Sequence, residues 1–410
     1  MVENTPKTAE ELGIGQGAEL PPQQRADNRN WTLAPWNRWS FQRVQQFTRT
    51  LRVPRAKVSC AMVKKSQDFG ELTFEDSGGK PCTVNEMLSR TWTDGFLVMR
   101  GGVVLAEQYF NGMGPDTLHL MMSCSKSFTS ALAGIYIGQG VLDPADQLST
   151  YLPELVGTGF EGATLQQALD MRVGVKFSEN YDDLGGDWRQ CEVATGWRED
   201  DTYSGPRDML GYMQTLVERE SGHGGVFRYK SILTDALGLC LEGATGRKFA
   251  ELFHQHIWNP IGAEQDLVSI VDNAGNAVFE GGFNCCLRDF ARFAQMICQG
   301  GQFNGQQLVP TDWIDECRFV GKELVAAFAQ SEDGEALPHH AYHNQWWVRN
   351  PRRGVIMALG IHGQILYIDP EYEFVVAKFS SQPDHDDIAM AIDQFLAFEA
   401  IAKLLVGESR

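Results

Sequence analysis

Two strand-forming regions stand far apart in this chain, with helical periodicity between them. From Phe96 the order is Phe96-Leu97-Val98-Met99, then Arg100-Gly101-Gly102, then Val103-Val104-Leu105, with Tyr109 and Phe110 completing the run. Glycines between two apolar blocks mark a hairpin. Far downstream, Val355 to Leu359, Gln364 to Ile368 and Phe374 to Ala377 repeat the strand pattern, punctuated by Gly360, Gly363 and Asp369-Pro370. These read as an antiparallel meander. From Asp386 to Leu405, Ile388, Ile392, Phe395 and Leu396 recur at helical spacing and predict a helix packed across that sheet. In the middle, Thr164-Leu165-Gln166-Gln167 resembles a capping box, and Lys248 to Ile257 is a further helix candidate. The fold class expected is therefore α+β: an antiparallel sheet flanked by helices, built from distant segments and interrupted by a helical subdomain. The boundaries expected are an irregular arm over 1–55, sheet segments over 56–160 and 275–410, and the helical part over 161–274. The arm is rich in Pro, Gln, Asn and Arg, and Trp31, Trp36 and Trp39 would anchor it to the main body.

A chain of 410 residues, 43% apolar with 23 Phe and 10 Trp, can bury a large core. Its formal net charge of −18 opposes attraction to nucleic-acid phosphates or anionic lipid, so neither is expected as a partner. No stretch approaches the roughly 20 apolar residues of a membrane span. The start, Met1 to Pro6 and on through Glu10 and Glu11, lacks a basic segment followed by an apolar run, which gives a cytoplasmic expectation. Nine Cys without Cys-x-x-Cys spacing read as buried reduced thiols. The His339, His340 and His343 group has no acidic helper at metal spacing, so no metal and no cofactor is expected. The arm could equally embrace a second copy in a homodimer.

Three features carry chemistry. Ser123-Cys124-Ser125-Lys126 follows an apolar stretch and precedes Phe128, Leu132 and Ile135 at helix spacing, which puts Ser123 and Lys126 on one face within reach of each other. A lysine beside an apolar helix is expected to lose its proton by desolvation and to accept the serine proton. The alternative is a helix start with Ser123 as N-cap and a solvated Lys126. Ser77-Gly78-Gly79-Lys80 shows how easily the bare string arises. Tyr229-Lys230-Ser231 closes a Gly-rich loop ahead of a helix, and a lysine ammonium would stabilise the Tyr229 phenolate, making it an acid/base. Gly360-Ile361-His362-Gly363-Gln364 lies at a strand junction, where small residues let a substrate approach the sheet edge and the Gln364 amide could join that of Ser123 in binding an oxyanion. Its alternative is a tight hairpin with a solvent-facing His362.

In this order the three features resemble the signature of the serine β-lactamase and penicillin-binding protein superfamily, with the likeness running from about residue 60 onward. Within it, the chain is similar to the 6-aminohexanoate-dimer hydrolases and the esterases related to class C β-lactamases. The supporting segments are Ser178-Glu179-Asn180-Tyr181, Ala194-Thr195-Gly196-Trp197-Arg198 and Gly281-Gly282-Phe283-Asn284. The resemblance implies Ser123 as nucleophile, Lys126 and Tyr229 as its proton-transfer partners, and Tyr181, Glu192, Trp197, Asn284, His362 and Gly363 around the substrate. Of the carboxylates between Tyr181 and Asp201, it points to Glu192 as the receiver of a cationic tail. The third element is Ile361-His362-Gly363 rather than Lys-Thr-Gly, and the middle one ends in Ser231 rather than Asn. Both departures weigh against β-lactams and favour a linear amide or ester as substrate. A carboxylesterase or D-amino-acid peptidase using the same residues, and a non-catalytic ligand-binding relative, stand as alternatives.

Overall fold

Gly101 and Gly102 both take positive φ, +56° and +78°, and close a two-residue turn between Arg100 and Val103. Such a turn needs two residues free of a Cβ penalty, and its twist suits the flanking strands. The computed structural model describes residues 6–407; the first five residues of the expected arm and the last three of the chain lie outside the described residues. The hairpin is part of an eight-stranded sheet. In chain order its strands are β1 (Val63–Lys64), β2 (Thr93–Arg100), β3 (Val103–Tyr109), β4 (Ala341–His343), β5 (Trp346–Asn350), β6 (Val355–Gly360), β7 (Gln364–Asp369) and β8 (Phe374–Ser380). Their order across the sheet is β4-β5-β6-β7-β8-β2-β3-β1, antiparallel except for the β1–β3 edge pair. The two distant strand groups meet where β8 pairs with β2, with Lys378 opposite Phe96.

Five helices matter to the argument: α1 (Cys124–Gly138), α2 (Asp187–Ala194), α3 (Ile232–Thr245), α4 (Leu287–Cys298) and α5 (Ile388–Gly407). Alternate side chains of a strand point to opposite faces, so Phe379 faces away from Phe96, which pairs with Lys378. On one face, Phe290 of α4 stacks on Phe379 at 4.6 Å. On the other, Phe398 of α5 packs against Phe96 at 6.2 Å and Tyr367 at 5.8 Å. Truncating either phenylalanine would leave a cavity costing about 3–5 kcal/mol. With both faces covered, β8 is buried along its whole length, and α5 is the helix expected from the 386–405 pattern.

The span 161–274 carries helices and one strand, Leu267–Ile270. Thr164 caps its helix reciprocally with Gln167, and the Lys248–Ile257 candidate forms as Phe249–Phe253 running into a wider turn over His254–Trp258. A small four-stranded sheet joins Thr50–Val53, Leu267–Ile270, Phe283–Cys285 and His119–Leu120 in that order. It fixes the 280–285 segment beside the chain leading into Ser123: Leu120 pairs with Asn284, and the Met121 N–H donates to the Phe283 carbonyl at 2.8 Å. The arm closes over the helical part through Trp31. That ring is buried and stacks on Phe47 at 5.8 Å and on Trp197 at 5.5 Å, while its Nε1 donates to the Trp197 carbonyl at 2.6 Å.

Candidate active site

Ser123 sits at the N-cap of α1, and Met122 before it takes a left-handed φ of +47°. A side chain other than glycine in that region is strained, which the packed surroundings must overcome. The Ser123 side chain makes no capping bond, so its hydroxyl is left for other use. One turn on, Lys126 is 1% exposed and its Nζ donates to Ser123 Oγ at 2.9 Å and to the Glu280 carbonyl at 2.7 Å. The same Nζ lies 5.1 Å from the centre of the Tyr229 ring, and the Ser123 hydroxyl is near enough to the Tyr229 phenol to favour its anion. The hydroxyl, the amine and the phenol therefore converge, and the alternative of a solvated Lys126 does not hold. The N-terminal end of α1 adds positive potential where an anion would form.

The surroundings of this trio differ from the apolar setting expected. Glu280, 5% exposed, brings its Oε2 to 3.6 Å from Lys126 Nζ. Glu179 also acts on Lys126 and is fastened by three donors: the Ser231 N–H, the Ser231 hydroxyl at 2.6 Å and the Tyr181 hydroxyl at 2.7 Å. Asp235 of α3, fully buried, accepts the N–H groups of Phe279 at 2.9 Å and Glu280 at 3.1 Å and so holds the Glu280 turn in place. Burial raises the carboxyl groups of Glu179, Asp235 and Glu280 above their ordinary range, and Lys126 opposes that shift in all three. Tyr229 corrects the sequence expectation. Burial, with Glu179 and Glu280 nearby, pushes its phenol well above the usual value. Burial is the first cause and the Glu179 carboxyl the next, so the phenolate expected from the sequence is disfavoured.

The strand junction is also rearranged. Gln364 is fully buried at the start of β7 opposite Gly360, and its side-chain amide donates to the carbonyls of Ile361, His362 and Ser380. It staples the turn together and does not line the cleft that holds Ser123; Ile361 does. Neither the Ser123 nor the Ile361 N–H has an acceptor among the described residues. His362 is buried rather than solvent-facing: its Nδ1 donates to the Gln382 carbonyl at 2.8 Å, and burial pushes its pKa down to about 4. Gly363 takes φ +88°, and a Cβ there would fall 2.5 Å from Gln382 Nε2. Its smallness serves packing of the turn, not substrate approach. Asn284 is spent inside the small sheet, donating to Gly282 and Val268 carbonyls at 2.9 and 3.3 Å, away from the cleft.

The cleft has a volume of about 140 Å³ and is lined by Met122, Ser123, Tyr181, Trp197, Ile361 and His362, with Leu33 and Ala34 of the arm on one side. Tyr181 and Trp197 line the same cleft as Ser123. Glu192 lines it too, but its carboxylate is already occupied: Arg189 Nη1 donates to Oε2 at 2.5 Å and Arg198 Nε lies 3.4 Å from the same oxygen. A carboxylate shared by two guanidiniums is a poor receiver for a third cation. Arg189, three residues before Glu192 on α2, was legible from helical spacing. Glu179 and Glu280 have no such signal, since each is a single carboxylate in a loop whose path the sequence does not give.

A sequence model of the Beta-lactamase family matches residues 90–398, three quarters of the chain. The chain belongs to the beta-lactamase family. A second comparison places this beta-lactamase family hydrolase beside the 6-aminohexanoate-dimer hydrolase of Paenarthrobacter ureafaciens, at 33% identity over 87% of this chain and 88% of that one. Among solved structures it superposes on a Bacillus anthracis protein provisionally named a 6-aminohexanoate-dimer hydrolase, with a TM-score of 0.86, 27% identity, and 95% and 99% of the two chains covered. A family VIII carboxylesterase shares the fold, with a TM-score of 0.56 at 14% identity over 76% of this chain and 92% of that one. No helix among the described residues is long and apolar enough to cross a membrane.

Proposed function

We propose that this protein hydrolyses linear amides or esters through a covalent acyl intermediate on Ser123. The observation that carries the reading is the 2.9 Å contact between Lys126 Nζ and Ser123 Oγ in a buried corner beside an open cleft. Lys126 in its amine form takes the hydroxyl proton as Oγ bonds to the substrate carbonyl carbon. The carbonyl oxygen becomes an oxyanion facing the N–H groups of Ser123 and Ile361, two backbone donors at the cleft without acceptors among the described residues. Tyr229, kept protonated by its surroundings, gives its proton to the departing amine or alkoxide as the carbon–nitrogen or carbon–oxygen bond breaks. A proton passed from Lys126 to Tyr229 resets the pair, and water then releases the acyl group by the same steps. Similarity to the 6-aminohexanoate-dimer hydrolase supports a linear amide, and the carboxylesterase fold neighbour supports esters as the second reading.

Intact mass after treatment with a fluorophosphonate tests the nucleophile. One adduct is expected on the native protein and none on Ser123→Ala, with turnover of a nitrophenyl ester falling about 10³-fold or more in the variant. A native protein that formed no adduct and turned over no ester would support a ligand-binding relative instead. Comparing nitrophenyl esters, a linear aminohexanoate dimer and D-alanyl peptides ranks the substrate classes.

A further inference from the structure

The wall of the cleft opposite the expectation of a cation receiver is built around guanidinium groups. Two arginines share one carboxylate there, so the Arg189, Glu192 and Arg198 group carries a net positive charge. The two arginines are not equivalent. Arg198 is fully engaged: Nε faces Glu192, Nη1 donates to the Arg29 carbonyl and Nη2 donates to Thr32 Oγ1 at 2.7 Å, so the arm consumes its donors. Arg189 gives only Nη1 to Glu192. Its Nε is enclosed without a partner, its Nη2 has no acceptor among the described residues and is not fully enclosed, and the residue lines the cleft. The Arg189 side chain is 14% exposed. A mostly buried guanidinium with open donors gains from any acceptor that reaches it, and a carboxylate matches it best. The acids nearest in the cleft do not cancel this. Asp182 is exposed at the rim, and Glu280 faces Lys126.

We propose that Arg189 recognises a carboxylate borne by the substrate, so that the preferred class is a linear amide or ester with an anionic end rather than one with a free ammonium. This rests on the cleft beside Ser123 being the substrate site, and it narrows that reading. Glu192 then serves as a positioning residue, holding the guanidinium plane while leaving the Nη2 edge to the ligand.

The test separates recognition from chemistry. Hexanoate, hexanamide and hexylamine share one chain and differ in the head group. Each is titrated by calorimetry into Ser123→Ala, which needs no turnover, and into the same protein carrying Arg189→Gln. Hexanoate is expected to bind at least tenfold more tightly than hexylamine, and its advantage over hexanamide is expected to shrink by about tenfold or more in Arg189→Gln, the size of one charge-assisted hydrogen bond. Arg189→Lys, which keeps the charge but loses the planar fork, is expected to restore part of that advantage. Hexylamine binding most tightly would overturn the proposal, as would a hexanoate advantage that persisted without Arg189. Should Arg189→Gln fail to fold, the ranking of the three ligands on Ser123→Ala and on Arg189→Lys still decides. A failed nucleophile test with the expected ranking intact would overturn the catalytic role of Ser123 alone.

Discussion

The cleft joins two charged corners of opposite construction. Around Lys126, one amino group is held among carboxyl groups, those of Glu280 and Glu179, with Asp235 behind them. Around Glu192, one carboxylate is held between two cations, Arg189 and Arg198. The first corner presents a proton inventory, with carboxyl groups raised by burial and a phenol kept neutral beside an amine. The second cannot exchange protons near neutral pH, because arginine stays charged, and it offers only hydrogen-bond donors and field. The difference teaches that burial of charge alone does not identify chemistry. What distinguishes a reacting corner from a binding one is whether its groups can change protonation state.

Substitutions can break this contrast in order of expected size. Lys126→Met removes the proposed proton acceptor and is expected to lower kcat/KM for a nitrophenyl ester by about 10³-fold or more, measured under steady state. Glu192→Gln leaves two guanidiniums facing each other without their shared partner. It is expected to cost about 3 kcal/mol in urea denaturation. Glu280→Gln should cost less, about 1–2 kcal/mol, since Glu179 remains to face Lys126 and the amide keeps a hydrogen-bonding group. A larger loss in Glu280→Gln than in Glu192→Gln would reverse the comparison. The smallest effect is expected for Asp182→Asn at the rim, within about 0.5 kcal/mol.

Acid titration sharpens the contrast through its sign. His362 at the cleft titrates near 4 in the folded protein against an ordinary 6.5. Between those values the unfolded chain binds the extra proton, so stability is lost as pH falls from 6.5 toward 4. Glu280, raised by burial from an ordinary 4.5, works in the other direction: the folded state holds the proton longer, and stability is lost as pH rises from 4.5 through its folded value. Denaturation midpoints across this range should lose part of their acid slope in His362→Gln and part of their opposing slope in Glu280→Gln, since His340 shares the first direction and Glu179 and Asp235 the second.

The sheet was readable because its cues are local. Gly101-Gly102 closes the hairpin, continuous apolar runs form β6 to β8, and helical spacing from Ile388 forms α5. Ser123 and Lys126 were readable for the same reason, being one helical turn apart. Residues whose meaning depends on neighbours from elsewhere were not. Glu192 reads as a free carboxylate until Arg189 and Arg198 close on it. Asn284 reads as a site residue until the small sheet consumes its amide. Gln364 lies three positions beyond the backbone group that lines the cleft, a shift set by the turn that its own side chain staples. The Tyr229 phenol lies beside Lys126, but the rise of its pKa comes from burial and then from Glu179 and Glu280, which come from two other segments.

Trp31 stacks on Trp197, and Arg198 is bound to Arg29 and Thr32. Residues 29–34 thus build one side of the cleft rather than wrapping around it. Cutting the chain at residue 90, where the family match begins, would remove Leu33 and Ala34 from the cleft wall together with the buried Trp31 that stacks on Trp197.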